Sequence, residues 1–404
     1  MISEIRLTNY KRFLAETIPL EPITVFIGPN GAGKSTIASA LYAISTIVRL
    51  GLSAAFPQGF FSFFHLLNYS AKKFGFTYPP MGFGISGKKD DFSFDYDIFF
   101  NKDTNSPTGW YIQFEGIRVL SGNSQHHYSI GRAPDNDMVL PTVGTRRWIA
   151  GLPTAPQRDC LFLEIERGVD QPDFVRYLRE IKKYMQMMSR YQFSATEARM
   201  ASEQYDGSGR QPFLKSDGSN LAEVVQFLQE ERRGLLVQMK DWIIKYAKGG
   251  TKIVDVGVAT YEDKVFLNFY EEGEGRQTHE VRGPLLSDGY WIFAAFACLA
   301  SGETLPSIAF FEEPECHLHP HKLPLLCDIF GSMATRQSGP CQVLISTHSP
   351  YFLDLFKENP NSVIFLNNGR AQRLSAIPDY ENVLSLYSLG EAWYANIFNW
   401  GNPQ

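Results

Sequence analysis

Gly28-Pro29-Asn30-Gly31-Ala32-Gly33-Lys34-Ser35 lies between Ile23-Thr24-Val25-Phe26-Ile27 and Thr36-Ile37-Ala38-Ser39-Ala40-Leu41-Tyr42-Ala43. The first flank is a short β-branched and aromatic run, which predicts a buried strand. The second is a good helix former with apolar residues at helical spacing. Strand, glycine-rich turn and helix together make a phosphate-binding loop. Glycines let successive backbone N–H groups curl round a phosphate without Cβ clashes. The helix N-terminus adds partial positive charge. Asn30, Gly31 and Gly33 shape this cradle, Lys34 is placed to meet the β- and γ-phosphates, and the Ser35 hydroxyl is a magnesium ligand.

The 404 residues are 44% hydrophobic and 20% charged, an ordinary globular composition with ample length for a large core. A net charge of −5 does not suggest an obligate nucleic-acid binder. The five cysteines (Cys160, Cys298, Cys316, Cys327 and Cys341) form no CxxC pair and no zinc spacing. Such a scattered, odd set points to a reducing cytoplasm. Met1 leads straight into a strand-like segment, so no signal peptide is expected. The longest apolar run, Tyr290 to Ala300, is too short to span a bilayer, and no membrane partner is expected.

Patterning along the chain predicts strands at Ile2–Leu7, Leu14–Leu20 and Ile23–Ile27, then a helix to residue 50. Alternating runs at Phe92–Phe100 and Trp110–Leu120 predict antiparallel strands, and 121–158 a loop-dominated insertion. The aromatic segment Phe56–Phe76 reads either as core of this lobe or as a docking surface. A helix is expected over Asp173–Met188 and a strand over Tyr191–Ala195. Asn220–Lys248 reads as a helix broken near Gly234, followed by a hairpin of Lys252–Ala259 with Val265–Glu271. The expected organisation is a discontinuous ATPase core (1–50 and 281–404), a β-rich lobe with insertion (51–205), and a short helical arm with a hairpin (206–280).

The second half carries further chemistry. Ile308-Ala309-Phe310-Phe311-Glu312-Glu313 is an apolar strand ending in two carboxylates, the Walker B pattern. Glu312 is placed to hold Mg²⁺ through water, and Glu313 to activate an attacking water. Leu286-Ser287-Asp288-Gly289 opens the apolar helix Tyr290–Ala300, with Ser287 as a natural N-cap and Gly289 allowing close backbone approach to a ligand. Gln342-Val343-Leu344-Ile345-Ser346-Thr347 is another apolar strand, and it ends at His348-Ser349-Pro350, where a histidine can meet a γ-phosphate or the attacking water. His317 and His319 lack a firm third and fourth metal ligand.

Phosphate loop, LSDG, a strand with EEPE, then THSP is the order of ABC-type ATPases. The wording resembles the RecF/SMC-like branch that includes the ATPase heads of OLD-family nucleases. The residues carrying the likeness are Asn9–Phe13, Gly28–Ser35, Asp217–Leu221, Leu286–Gly289, Glu312–Glu315 with Leu318-His319-Pro320, Ser346–Pro350 and Tyr387–Glu391. The resemblance implies an α/β fold: an ABC-type P-loop ATPase head with a mixed sheet, an antiparallel β lobe and a small helical arm. It implies ATP and Mg²⁺ as cofactors, held by Lys34, Ser35 and Thr36. It makes Ser287 and Gly289 the signature that closes on a second protomer's γ-phosphate, Glu313 the catalytic glutamate and His348 the switch histidine. Two features depart from the family pattern. Glu312 stands where Asp is more usual, and no clear Q-loop glutamine is found, Gln192 being a weak candidate.

The resemblance further implies a homodimer through an ATP sandwich, with room for a higher oligomer. No long coiled coil separates the halves, and the chain stops about fifty residues after His348 without a nuclease-like constellation. The expectation is therefore a head serving a separate effector protein, as sensor or scaffold in defence against phage or plasmids. Two alternatives stand beside it. One is a DNA-repair ATPase binding DNA ends through Arg232, Arg233, Lys240, Lys245, Lys248 and Lys252. The other is an ATP-binding scaffold with little turnover.

Overall fold

The computed structural model describes residues 1–56, 63–68, 79–89, 91–102, 110–121, 127–132, 172–249, 252–273, 277–281, 285–337 and 339–398. In chain order the strands are β1 (Ile2–Tyr10), β2 (Phe13–Pro19), β3 (Ile23–Ile27), β4 (Met81–Lys89), β5 (Phe92–Lys102), β6 (Trp110–Ser121), β7 (His127–Arg132) and β8 (Met188–Tyr191). They continue as β9 (Ser202–Glu203), β10 (Ile253–Tyr261), β11 (Lys264–Glu272), β12 (Thr278–Val281), β13 (Ile308–Glu312), β14 (Gln342–Ser346), β15 (Val363–Asn367) and β16 (Arg370–Arg373). The chain divides into two compact units, one of Met1–Met188, Asn359–Tyr387 and Ala392–Gln404, the other of Ser189–Glu358 and Ser388–Glu391.

In the first unit, six antiparallel strands run in the order β2-β1-β4-β5-β6-β7. Alternation puts aromatic side chains on one face. Tyr10 meets Phe83 edge-on at 4.8 Å, Phe83 meets Phe100 at 5.6 Å, and Phe56 stacks on Trp110 at 4.5 Å. Arg6 forms ion pairs with Glu4 and Asp97. The strand β4 alternates buried Met81, Phe83 and Ile85 with small residues, three of its residues being glycine. A Cβ on Gly82 would lie 2.4 Å from the Phe99 ring, one on Gly84 2.1 Å from Asp97, and one on Gly87 2.8 Å from Phe94. Large residues on β5 thus fill the space that β4 leaves. The strand β7 replaces loop within 121–158, and the rest of that stretch lies outside the described residues. So do Phe60, Phe61 and the side chains of Phe63 and Phe64, while Phe56 is core.

The nucleotide-loop strand β3 belongs to the same unit. It pairs in parallel with β15, Val25 opposite Val363 and Ile27 opposite Phe365, and β15 pairs antiparallel with β16. The helix Lys34–Leu50 buries Ile37, Leu41, Ile44 and Val48, one stripe at three- and four-residue spacing.

In the second unit, β13 and β14 pair in parallel from Ile308 opposite Gln342 to Glu312 opposite Ser346, and β8 flanks β13. The helices Asp288–Ser301 and Leu323–Ala334 pack beside them. Phe311 stacks on Phe330 at 4.9 Å and meets Phe296 at 5.4 Å. The arm is two helices, Leu221–Glu231 and Arg233–Ala247, broken at Arg232 rather than Gly234. The expected hairpin gains a third full strand, β12, and the short β9.

The expected strand at Tyr191–Ala195 is wrong. The strand β8 ends at Tyr191, and Ala195–Arg199 is helical. Ser194 caps that helix by accepting from the Glu197 N–H at 3.4 Å, a Ser-x-x-Glu start signal.

Candidate functional site

The phosphate loop is built mainly from backbone. Gly31 and Gly33 sit at φ of +75° and +122°, in the region that favours glycine. A Cβ on Gly33 would lie 2.7 Å from the Phe13 ring, and one on Gly28 2.2 Å from the Leu366 carbonyl oxygen. The loop is thus wedged between a buried aromatic and a neighbouring strand. Lys34 is buried and donates to the carbonyls of Gly28 at 2.7 Å and Pro29 at 3.2 Å. Its amine is therefore held over the loop. Asn30, Gly31 and Ser35 are exposed, while Gly33 and Thr36 are buried. The helix starts at Lys34 with Gly33 as N-cap, no side-chain cap and no acidic residue in its first turn. Positive φ glycines, a buried amine and an undiluted helix start suit a polyphosphate. Arg12 comes close as well, its guanidinium 3.3 Å from where a Gly31 Cβ would be.

The second unit carries the carboxylates. Glu312 ends β13, and its side chain is 9% exposed, with Oε1 2.6 Å from Nε of Arg190. Glu313 follows in the left-handed region at φ 45°, and its N–H donates to the Ser346 carbonyl at 2.9 Å. That conformation costs a non-glycine residue about 1–3 kcal/mol and turns the side chain out of the strand's alternation. Glu313 is exposed, with Oε1 3.9 Å from Nε2 of His348 and Oε2 accepting from the Cys316 thiol at 3.6 Å. Burial, with the Glu315 and Glu313 carboxylates adding to it, pushes that thiol up to about 11.

Glu315 fastens the histidine turn. Its Oε1 accepts from the Thr347 hydroxyl and from the His348 N–H at 3.3 Å. Burial raises the Glu315 pKa above the usual carboxyl value, partly opposed by the bond from Thr347. Next, Ser349 caps the helix Pro350–Asp354 by accepting from the Phe352 N–H at 3.2 Å. The late Ser388–Glu391 stretch docks on that helix. The Gly390 N–H donates to Asp354 at 2.6 Å, and a Cβ there would lie 2.4 Å from the Pro350 carbonyl oxygen.

Ser287 occupies the N-cap position of the helix Asp288–Ser301, but its hydroxyl makes no capping bond and is exposed. Asp288 beside it pairs with Arg199 at 2.7 Å. Gly289 is buried for packing: a Cβ there would lie 2.4 Å from the Tyr246 hydroxyl and 2.9 Å from the His317 carbonyl oxygen. The arm helix thus presses on the LSDG turn, and Tyr246 also stacks on Phe293 at 4.3 Å. Gln192 directly follows β8, its N–H bonded to the Ser216 carbonyl at 2.8 Å. The Asp217–Leu221 motif, with Gly218 at φ +84°, supports that turn through a bond from the Ser194 N–H to Asp217.

Sequence reasoning missed Arg190 and Tyr246, and it named Phe13 and Thr347 within motifs without giving either a role. Of the basic arm residues, Arg232 is paired with Glu303 and Lys240 with Asp255. Among the described residues no group of three or more His, Cys, Asp or Glu side chains could hold a metal alone. Ser35 in the first unit and Glu312 in the second each offer an oxygen donor, the kind that Mg²⁺ takes.

Residues 1–138 match the profile of a family described as "AAA ATPase domain", and residues 167–354 match one described as "AAA domain, putative AbiEii toxin, Type IV TA system". The chain is an α/β ATPase head. The head is similar to an OLD nuclease of Thermus scotoductus (strain ATCC 700910 / SA-01), 23% identical over 410 residues, which cover 96% of this chain and 68% of that protein. Similar solved structures include an Smc head bound to the C-terminal winged-helix domain of ScpA (12% identical, TM-score 0.47, 92% of this chain and 96% of that one). Another is the SMC head domain from Thermotoga maritima (10% identical, TM-score 0.41, 92% and 98%). Among the described residues no helix of the head is long and apolar enough to cross a membrane.

Proposed function

We propose that two copies of this ATPase head close on ATP and Mg²⁺, and that the closed and open states instruct a separate effector in defence against phage or plasmids. The observation that carries the proposal is Ser287. It stands exposed at the start of a 14-residue helix, with its hydroxyl not spent on its own cap. An exposed helix start of this kind suits a phosphate brought by another protomer. Asn30, Gly31, Gly33, Lys34 and Thr36 would cradle the phosphates, with Ser35 and Glu312 as the metal-holding oxygens. Magnesium, when bound, would neutralise charge on the β- and γ-phosphates. Glu313 would take the proton of the attacking water, His348 would orient it or the γ-phosphate, and Ser287 with Gly289 would close the site. A two-fold dimer completes both sites at once. In favour of a defence role, the matched family's description names a putative AbiEii toxin and a Type IV TA system.

Ser287→Arg should leave ATP binding intact and block turnover. Mixing it with Lys34→Ala should restore partial ATPase activity, since a mixed dimer keeps one site with two sound halves. Full activity of Ser287→Arg alone would refute the shared site.

A further inference from the structure

Glu is longer than Asp by one methylene, and here that extra reach ends on a cation. Tyr191 stacks on Phe311 at 5.4 Å across the neighbouring strands β8 and β13. Alternation turns the adjacent residues, Arg190 and Glu312, to the other face together. There Nε of Arg190 stands 2.6 Å from Oε1 of Glu312. The pleat therefore sets this pair, and it is not a chance meeting of surface side chains.

We infer that Arg190 is a built-in counter-ion of Glu312, and that a divalent cation must compete with its guanidinium for this carboxylate. The inference rests on Glu312 being the metal-holding carboxylate. The pair is lopsided in burial. The Glu312 side chain is 9% exposed and the Arg190 side chain 39%. A carboxylate so far from water needs a positive partner. The guanidinium reaches solvent, so it is the member that can leave. Arginine stays charged at every working pH, so the competition responds to cation concentration and not to protons. Two cations on one carboxylate repel, so a metal ion gains from Glu312 only what remains after Arg190 is displaced. This accounts for Glu at a position where ABC-type heads more usually carry Asp: a shorter side chain would draw the carboxylate back from Arg190.

Trace mant-ADP bound to the full chain and titrated with Mn²⁺ tests this without turnover. The readout is the Mn²⁺ concentration at half-maximal fluorescence change. Arg190→Met should lower that midpoint roughly tenfold, equivalent to about 1.4 kcal/mol. Glu312→Asp should shift it in the same direction, which provides a second route if Arg190→Met folds poorly. Glu312→Gln should raise it, and Arg190→Met combined with Glu312→Gln should abolish the gain. If both Arg190→Met and Glu312→Asp keep the wild-type midpoint while Glu312→Gln raises it, Glu312 holds the metal but Arg190 does not compete, and the inference falls alone. An unchanged midpoint in Glu312→Gln overturns the inference together with the metal role of Glu312.

Discussion

The phosphate loop and the carboxylate turn are secured by opposite means. The loop is shaped by what is absent: Gly28 and Gly33 lack the Cβ that would strike the Leu366 carbonyl or the Phe13 ring, and Lys34 bonds to its own loop's carbonyls. The turn is shaped by what is present. A left-handed Glu313 is bonded through its N–H to Ser346, and Glu315 ties down Thr347 and His348 from more than thirty residues away. A loop coded in backbone tolerates no added atoms, while a turn coded in side chains tolerates no lost acceptors.

The contrast breaks most sharply at the two functional side chains. Lys34→Ala should leave no ATP binding measurable by calorimetry, because the buried positive charge that meets the phosphates is gone. If affinity is unchanged, the loop does not bind nucleotide. Glu313→Gln should retain ATP while slowing hydrolysis roughly 10²–10⁴-fold, the range for a lost general base. Wild-type turnover in that variant would shift the role to Glu315 or His348.

Structural variants sharpen the same comparison at smaller scale. Gly33→Ala should cost about 1–3 kcal/mol in chemical denaturation, from a strained φ together with the Phe13 clash. A neutral result would mean that the loop is not wedged as described. Glu315→Gln should be the mildest change, and its sign depends on pH. Burial raises the folded-state pKa of Glu315, so its stabilising contribution is full below the ordinary carboxyl value of about 4.3 and is lost as pH rises through the raised value. The glutamine cannot ionise, so its melting temperature relative to wild type should improve between acid and neutral pH. A pH-independent difference would show that Glu315 titrates normally.

Much of this was legible in the sequence for a physical reason. The phosphate loop is contiguous, and its glycines and lysine act on their own neighbours. Glu312, Glu313 and His348 each end an apolar strand, so patterning locates them. The side chain meeting Glu312 is not legible, since Arg190 lies on another strand and only the stacking of Tyr191 on Phe311 brings it there. Gly289 was legible as a special position, but its reason, the Tyr246 hydroxyl, comes from the arm helix. The strand β4 was hidden because its glycines are defined by bulk on β5, and Ser194 was passed over because its aromatic neighbours suggested a longer strand.

The pairing of β3 with β15 has a consequence for synthesis. Val25 to Ile27 lie against Val363 to Phe365, and the Leu366 carbonyl backs Gly28. On the ribosome, at about 5–20 residues per second, the loop's amino acids emerge tens of seconds before the strand that braces them. Closing so long a loop is slow in folding terms. A nascent head would therefore carry its phosphate-binding residues long before it could use them, and nucleotide could stabilise only a chain that is nearly finished.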